Sequence, residues 1–217
     1  MKCYIVPVTP YAQNASVLVC EKTRKAAIVD PGGDLDRLLE VLKAENLELE
    51  KIFITHGHMD HAAGTEELSR RMQVPVEGPH EGDRTLIQNL PASCEKMGFP
   101  PAQAFEPDRW LNQDDRVQFG EVELVVRHCP GHTPGHVIFF HPESRVALVG
   151  DVLFQGSIGR TDFPGGNHRQ LLTSIVENLW PLGDDVTFVP GHGPTSTFGN
   201  ERQTNPFVAD AVIAEGF

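Results

Sequence analysis

The sequence predicts an α/β protein of four layers, two β-sheets packed face to face with helices on the outside. Two observations carry that expectation. Short apolar runs bounded by turn residues recur in both halves, and in each half strands come first and a helical pattern follows. No linker, low-complexity stretch or repeated motif divides the 217 residues, a length that suits one large domain with a sizeable core.

Cys3–Pro7, Ala15–Cys20 and Ala26–Asp30 read as strands, with Glu21–Lys25 a polar hairpin turn between the second and third. Asp30-Pro31-Gly32-Gly33 breaks the pattern, and Leu35, Leu38, Leu39 and Leu42 follow at helical spacing. The apolar run Lys51–Ile54 leads into Thr55-His56-Gly57-His58-Met59-Asp60-His61. Ala62–Leu68 then opens a helix that Asp60 is placed to cap. Val74–Val76 adds a short strand. Between His80 and Pro107 the pattern is mixed: Thr85–Leu90 and Ser93–Met97 have helical character, interrupted by Pro91, Pro100 and Pro101. That segment is expected to vary and to flank a site entrance.

Consecutive strands follow at Val117–Phe119, Val122–His128, Val137–His141 and Val146–Val149, with hairpin turns at Gly120-Glu121 and Pro142–Arg145. Leu171, Leu172, Ile175 and Leu179 mark a helix, and Val186–Val189 a short strand. Asn200–Ala214 reads as a terminal helix whose start Pro206 limits.

Composition narrows the function classes. Hydrophobic residues at 40% and charged residues at 22% fit an ordinary globular protein. No apolar run nears the roughly 20 residues needed to cross a bilayer, and Met1–Pro7 is too short and strand-like for a signal peptide. A cytoplasmic location with no membrane partner is therefore expected. The net charge of −12 comes with no basic run, which argues against a nucleic-acid partner. A small anionic substrate remains compatible, because local charge decides small-molecule binding. Cys3, Cys20, Cys94 and Cys129 form no Cys-x-x-Cys pair and are expected to be free and buried; Cys129 lies close enough to His132 to stand behind it.

The chemistry concentrates at strand ends. His56 and His58 are two apart, a spacing that suits an extended strand exit and not a helix face. Asp60 and His61 follow where the helix begins, so three imidazoles and a carboxylate crowd above one strand end. His132 stands between two Pro-Gly pairs in Cys129-Pro130-Gly131-His132-Thr133-Pro134-Gly135, whose turns aim it back toward the same space. His128 and His136 read as supporting groups at the edges of that loop. Asp151 ends the apolar run Val146–Gly150, a costly place for a carboxylate unless it is paired or metal-bound. His192 follows Phe188-Val189-Pro190-Gly191 in the same way. Asp30 ends a strand too, and is expected to orient a ligand histidine through a hydrogen bond. Imidazole with carboxylate suits zinc, iron or manganese better than calcium or magnesium.

Thr-His-x-His-x-Asp-His, Pro-Gly-His-Thr, Gly-Asp and Pro-Gly-His-Gly, in this order and across nearly the whole chain, resemble the metallo-β-lactamase superfamily. The resemblance implies an αββα sandwich of two mixed sheets with external helices, the site lying at the open edge between the sheets. It implies one divalent metal on His56, His58 and His132, a second on Asp60, His61 and His192, and Asp151 bridging them. Zinc is the expected metal, with iron or manganese as alternatives. Within the superfamily, Gly159-Arg160-Thr161-Asp162-Phe163-Pro164 is similar to glyoxalase II-like hydrolases of the shorter bacterial type. Those cleave S-D-lactoylglutathione to D-lactate and glutathione, so the implied substrate is a small anionic thioester. Longer glyoxalase II enzymes add a C-terminal helical domain that helps hold glutathione; the sequence stops at Phe217, and a single domain over 1–217 without that addition is expected.

Two metals in such a site would share a water and turn it into hydroxide at neutral pH. Asp60 is then expected to steer or accept its proton, and Arg160 to bind substrate, with a bond to Asp162 as the structural alternative. Two other activities share the motifs. Persulfide dioxygenases carry Gly-Arg-Thr-Asp-Phe and use one iron, here implied on His56, His132 and Asp151. Lactone or β-lactam hydrolysis is the other enzymatic rival. A catalytically silent binding domain would have no need of every ligand.

Overall fold

The computed structural model describes residues 1–214 and 216. The first half contains β1 (Lys2–Val8), β2 (Gln13–Val19), β3 (Lys25–Val29), α1 (Leu35–Ala44), β4 (Glu48–Phe53), α2 (Met59–Ala62), α3 (Thr65–Met72) and β5 (Val76–Glu77). After a 3-10 turn at Glu81–Asp83 come α4 (Arg84–Gln88) and α5 (Leu90–Met97). The second half contains β6 (Arg116–Phe119), β7 (Val122–His128), β8 (Val137–His141), β9 (Val146–Gly150), β10 (Leu153–Phe154), β11 (Ser157–Ile158), α6 (His168–Ser174), β12 (Thr187–Pro190), β13 (Ser196–Thr197), α7 (Phe198–Thr204) and α8 (Asp210–Ala214).

Strands β1 to β5 form one sheet in sequence order, and the second runs β13-β12-β9-β8-β7-β6. Both are mixed: β3, β4 and β5 are parallel in the first, β12 and β9 in the second, and the other pairs are antiparallel. The period-two alternation of a strand explains the layering. On β3, Ala27 and Val29 face the other sheet while Ala26 and Ile28 face the helices with Leu35, Leu38 and Leu68. On β8, Val137 and Phe139 face inward, and Ile138 and Phe140 face out toward Leu171 and Ile175. Phe53, Phe119 and Phe139 fill the seam between the sheets. Strands buried on both faces read as continuous apolar runs, which is how they stand in the sequence. The four-layer αββα sandwich is what the sequence predicts.

Several local expectations change. Asp60 does not cap the helix: it lies inside the first turn of α2, whose N-cap position is His58. The helix expected over Ala62–Leu68 is two, broken at Gly64, whose N–H is taken by the Pro31 carbonyl and where a Cβ would meet that oxygen at 2.4 Å. Pro91 does not interrupt a helix; it stands in the first turn of α5, where a missing N–H costs nothing. The terminal helix is also two. Asn205, before Pro206, is forced to an extended ψ of 123°, so α7 stops at Thr204 and α8 starts anew. Among the described residues no helix is long and apolar enough to cross a membrane.

Candidate metal centre

Five of the seven candidate ligands lie just beyond the C-terminal end of a strand: His56 and His58 after β4, His132 after β7, Asp151 after β9 and His192 after β12; Asp60 and His61 stand in α2, which follows the β4 exit loop. These ends share one edge of the sandwich. Two glycines allow the approach. Gly150 has φ of +48°, and a Cβ there would lie 2.7 Å from His136 and from Thr55 Oγ1. At Gly191 a Cβ would stand 2.1 Å from Asp151 Oδ1 and 2.6 Å from His61, so the strand end carrying His192 closes on the site only with hydrogen in that place.

Nε2 of His56 lies 3.1 Å from Nδ1 of His58, which lies 2.9 Å from Nε2 of His132. On the other side, Asp60 Oδ2 is 3.1 Å from His192 Nε2 and 3.8 Å from His61 Nε2. Asp151 stands between the two groups. Its Oδ1 is 3.3 Å from His61 Nε2, and its Oδ2 is 3.6 Å from His132 Nε2 and 3.8 Å from His192 Nε2. The sequence-predicted site residues are thus brought together, with the exception of Arg160. Its guanidinium forks onto Asp162 at 3.0 and 2.8 Å on the exposed surface, over the ring of Phe163, which in turn meets His58 edge-on at 5.6 Å.

The donor set fits divalent cations on its own chemistry. Among the described residues, His61 Nε2 and Asp151 Oδ1 find no hydrogen-bond partner, although both are buried at the centre, a cost that needs an explanation. The far nitrogens of four histidines are all engaged. Thr55 Oγ1 donates to Asp30 and accepts from His56 Nδ1 at 3.0 Å. His61 Nδ1 donates to Asp30 Oδ2 at 2.9 Å. His132 Nδ1 donates to the Arg160 carbonyl at 2.7 Å, and His192 Nδ1 to the Tyr11 carbonyl at 3.2 Å. Donating the outer N–H leaves each Nε2 lone pair pointing inward, as metal-ligating histidines require.

The electrostatics agree. Burial, reinforced by neighbouring imidazoles, holds His56 well below the ordinary histidine range and pushes His58 down to about 3, so both stay neutral. Burial opposes charge on His61 as well, but Asp151 and Asp60 outweigh it and hold this imidazole well above the usual value. At His192 burial again opposes, and the Asp60 hydrogen bond and Asp151 prevail. Asp151 is held ionised, far below the carboxylate range, because His61, His132 and His192 overcome the cost of burying it. The Asp60–Asp151 side therefore calls for positive charge, which a cation supplies.

The supporting residues divide into those the sequence marks and one it does not. Asp30 is buried and accepts from Thr55 N–H at 2.7 Å, Thr55 Oγ1 at 2.6 Å and His61. His136 stacks on His56 at 4.5 Å and accepts the Asp151 N–H at 3.0 Å, holding the central carboxylate in place. His128 lies apart, stacked on His80. Cys129 does not stand behind His132; it is buried in the apolar layer under α6 beside Ile138 and Leu171, where burial pushes its thiol far up. The missed residue is Asp83. Fully buried, it accepts from Gly57 N–H at 2.8 Å, Thr133 Oγ1 at 2.8 Å and Gly135 N–H at 2.6 Å, tying the His56–His58 loop to the His132 loop. Burial raises its pKa to about 6 against those three donors. Within His80-Glu81-Gly82-Asp83 it reads as an ordinary solvated turn residue. Asp83→Ala is expected to destabilise the protein by about 3 kcal/mol, the scale of losing hydrogen bonds to a buried charged acceptor. Urea unfolding of the metal-free protein measures it; an unchanged midpoint contradicts the role.

With fold and donors in place, comparison with known proteins agrees. A sequence model of the metallo-beta-lactamase superfamily matches residues 8–192. The chain belongs to that superfamily and is a metallo-hydrolase; its fold and its histidine and aspartate cluster imply divalent metals. It is 42% identical to the hydroxyacylglutathione hydrolase GloC of Haemophilus influenzae over 209 residues, 96% of this chain and 98% of the relative. Among solved structures it is similar to the BLEG-1 B3 metallo-beta-lactamase, with a TM-score of 0.88 and 37% identity, covering 95% of this chain and 99% of that one. It is also similar to TTHA1623 in a di-iron-bound form, with a TM-score of 0.86 and 33% identity, covering 94% of this chain and 100% of that one.

Proposed function

We propose that this protein hydrolyses thioesters of glutathione, converting S-D-lactoylglutathione and water to D-lactate and glutathione. The observation that carries the reading is the 42% identity to a hydroxyacylglutathione hydrolase along 96% of the chain. His56, His58 and His132 would hold one divalent ion, Asp60, His61 and His192 a second, with Asp151 shared. Zinc is the proposed metal; the di-iron form of a similar structure makes iron the next choice. Such a pair, when bound, supplies hydroxide at neutral pH and electrostatic stabilisation for charge on the carbonyl oxygen and the leaving sulfur.

The chain's own groups do the rest. Asp30, Thr55 and the Arg160 and Tyr11 carbonyls lock the imidazoles in the tautomer that ligates. Asp60 is partly exposed at the mouth and carries an oxygen that can accept a proton from the attacking water. Arg160 would meet a glutathione carboxylate by exchanging it for Asp162, an exposed pair of little strength. No nucleophilic serine or cysteine is required.

A second reading, β-lactam hydrolysis, has one observation in its favour, the 37% identity to a B3 metallo-beta-lactamase. One preparation, loaded with zinc, separates the two when assayed on S-D-lactoylglutathione and on a cephalosporin. Thioester cleavage is expected to dominate. In Arg160→Ala, KM for the thioester is expected to rise roughly tenfold, about 1.4 kcal/mol, with kcat nearly kept. Cephalosporin turnover without thioester turnover contradicts the proposal.

A further inference from the structure

The ribbon β10–β11 is a device whose purpose the metal centre does not explain. It begins two residues after Asp151 and pairs at two positions, Leu153 with Ile158 and Phe154 with Ser157. So small a hairpin does not hold its shape alone. It is pinned from behind by α7. Glu201 is fully buried and accepts the Gly156 N–H at the ribbon's turn at 2.8 Å. Asn205, also fully buried, donates to the Ser157 carbonyl at 3.0 Å and to Glu201 at 2.9 Å. Ser196 and Asn200 donate to the other carboxylate oxygen. A buried carboxylate with four donors is an expensive anchor for four residues of hairpin.

What the anchor fixes is Phe154. Its half-buried ring stands 6.4 Å from the ring of His192. His192 and His58 are the ligand histidines that reach solvent, and each is flanked by one phenylalanine. The His58 flank also carries Arg160, lying 4.4 Å over Phe163. A thioester carbonyl at the centre has two arms. If the anionic thiol takes the flank with the guanidinium, the acyl arm falls on the His192 flank, against Phe154.

We infer that Phe154 is the wall that selects the acyl group, and that the preferred substrates are 2-hydroxyacyl thioesters of glutathione with an apolar, aromatic or branched substituent on the acyl arm. This rests on the thioester reading above. An aromatic platform favours a planar apolar group over a methyl through buried area and ring packing.

The test compares S-D-lactoylglutathione with S-D-mandeloylglutathione, which differ only by phenyl in place of methyl, on the zinc-loaded enzyme. The wild type is expected to show at least about tenfold higher kcat/KM for the mandeloyl thioester. Phe154→Ala is expected to bring the ratio to about one, and Phe154→Leu to an intermediate value, each with metal content retained. A wild-type ratio at or below one, or a ratio that Phe154→Ala leaves unchanged, overturns the assignment of Phe154 while thioester hydrolysis stands. Failure of the zinc-loaded wild type to cleave either thioester overturns the glutathione reading itself.

Discussion

Asp151→Asn is expected to lower turnover of S-D-lactoylglutathione by a factor of at least ~10³, the scale on which preorganised electrostatics act on a developing charge. The change keeps the shape of the side chain and removes its charge. Asp151 lies within 4 Å of imidazoles from both halves of the site, His61 and His192 on one side and His132 on the other. Without the carboxylate, those imidazoles face one another across the site with only Asp60 and Asp30 to offset a bound cation's desolvation. Metal content measured on the same sample is expected to fall from two ions per chain to one or fewer. A variant holding two ions with near wild-type turnover contradicts a bridging role.

Asp60→Asn is the second large effect, with a different signature. An asparagine oxygen can still ligate, and the 3.1 Å contact to His192 Nε2 can be kept. What is lost is the ability to accept a proton. At full metal loading, kcat is expected to fall by roughly 10²–10⁴, the usual contribution of a positioned acid or base, with KM little altered. A pH–rate profile makes the distinction, because a purely ligating Asp60 would shift metal affinity and leave the shape of the profile intact. Near wild-type kcat in the fully loaded variant excludes proton handling.

The parts of this site that are legible in sequence share a physical reason. Five of the seven candidate ligands are announced by their own local geometry: an apolar run that must be a buried strand, then a turn residue, then an imidazole or carboxylate with no business at a strand end unless it is used. His56, His58, His132, Asp151 and His192 all announce themselves in this way. The two-sheet architecture is legible for the same reason, since strands buried on both faces leave continuous apolar runs.

What the sequence hides is set by contacts far along the chain. Asp83 joins loops 26 and 50 residues away, and nothing next to it records the partners. The break between α2 and α3 belongs to the close approach of Gly64 and Pro31, and the misplaced cap belongs to Asp60 turning toward His192 in place of its own helix. Phe154 reads as one more apolar residue after a strand; only the buried Glu201 and Asn205 behind the ribbon give it a place beside His192.

Anomalous diffraction from crystals of the zinc-loaded protein, collected on both sides of the zinc edge, tests the central claim most directly. Two peaks are expected per chain, one enclosed by His56, His58 and His132 and one by Asp60, His61 and His192, with Asp151 reaching both. A single peak, or peaks away from these side chains in a fully active preparation, would contradict it.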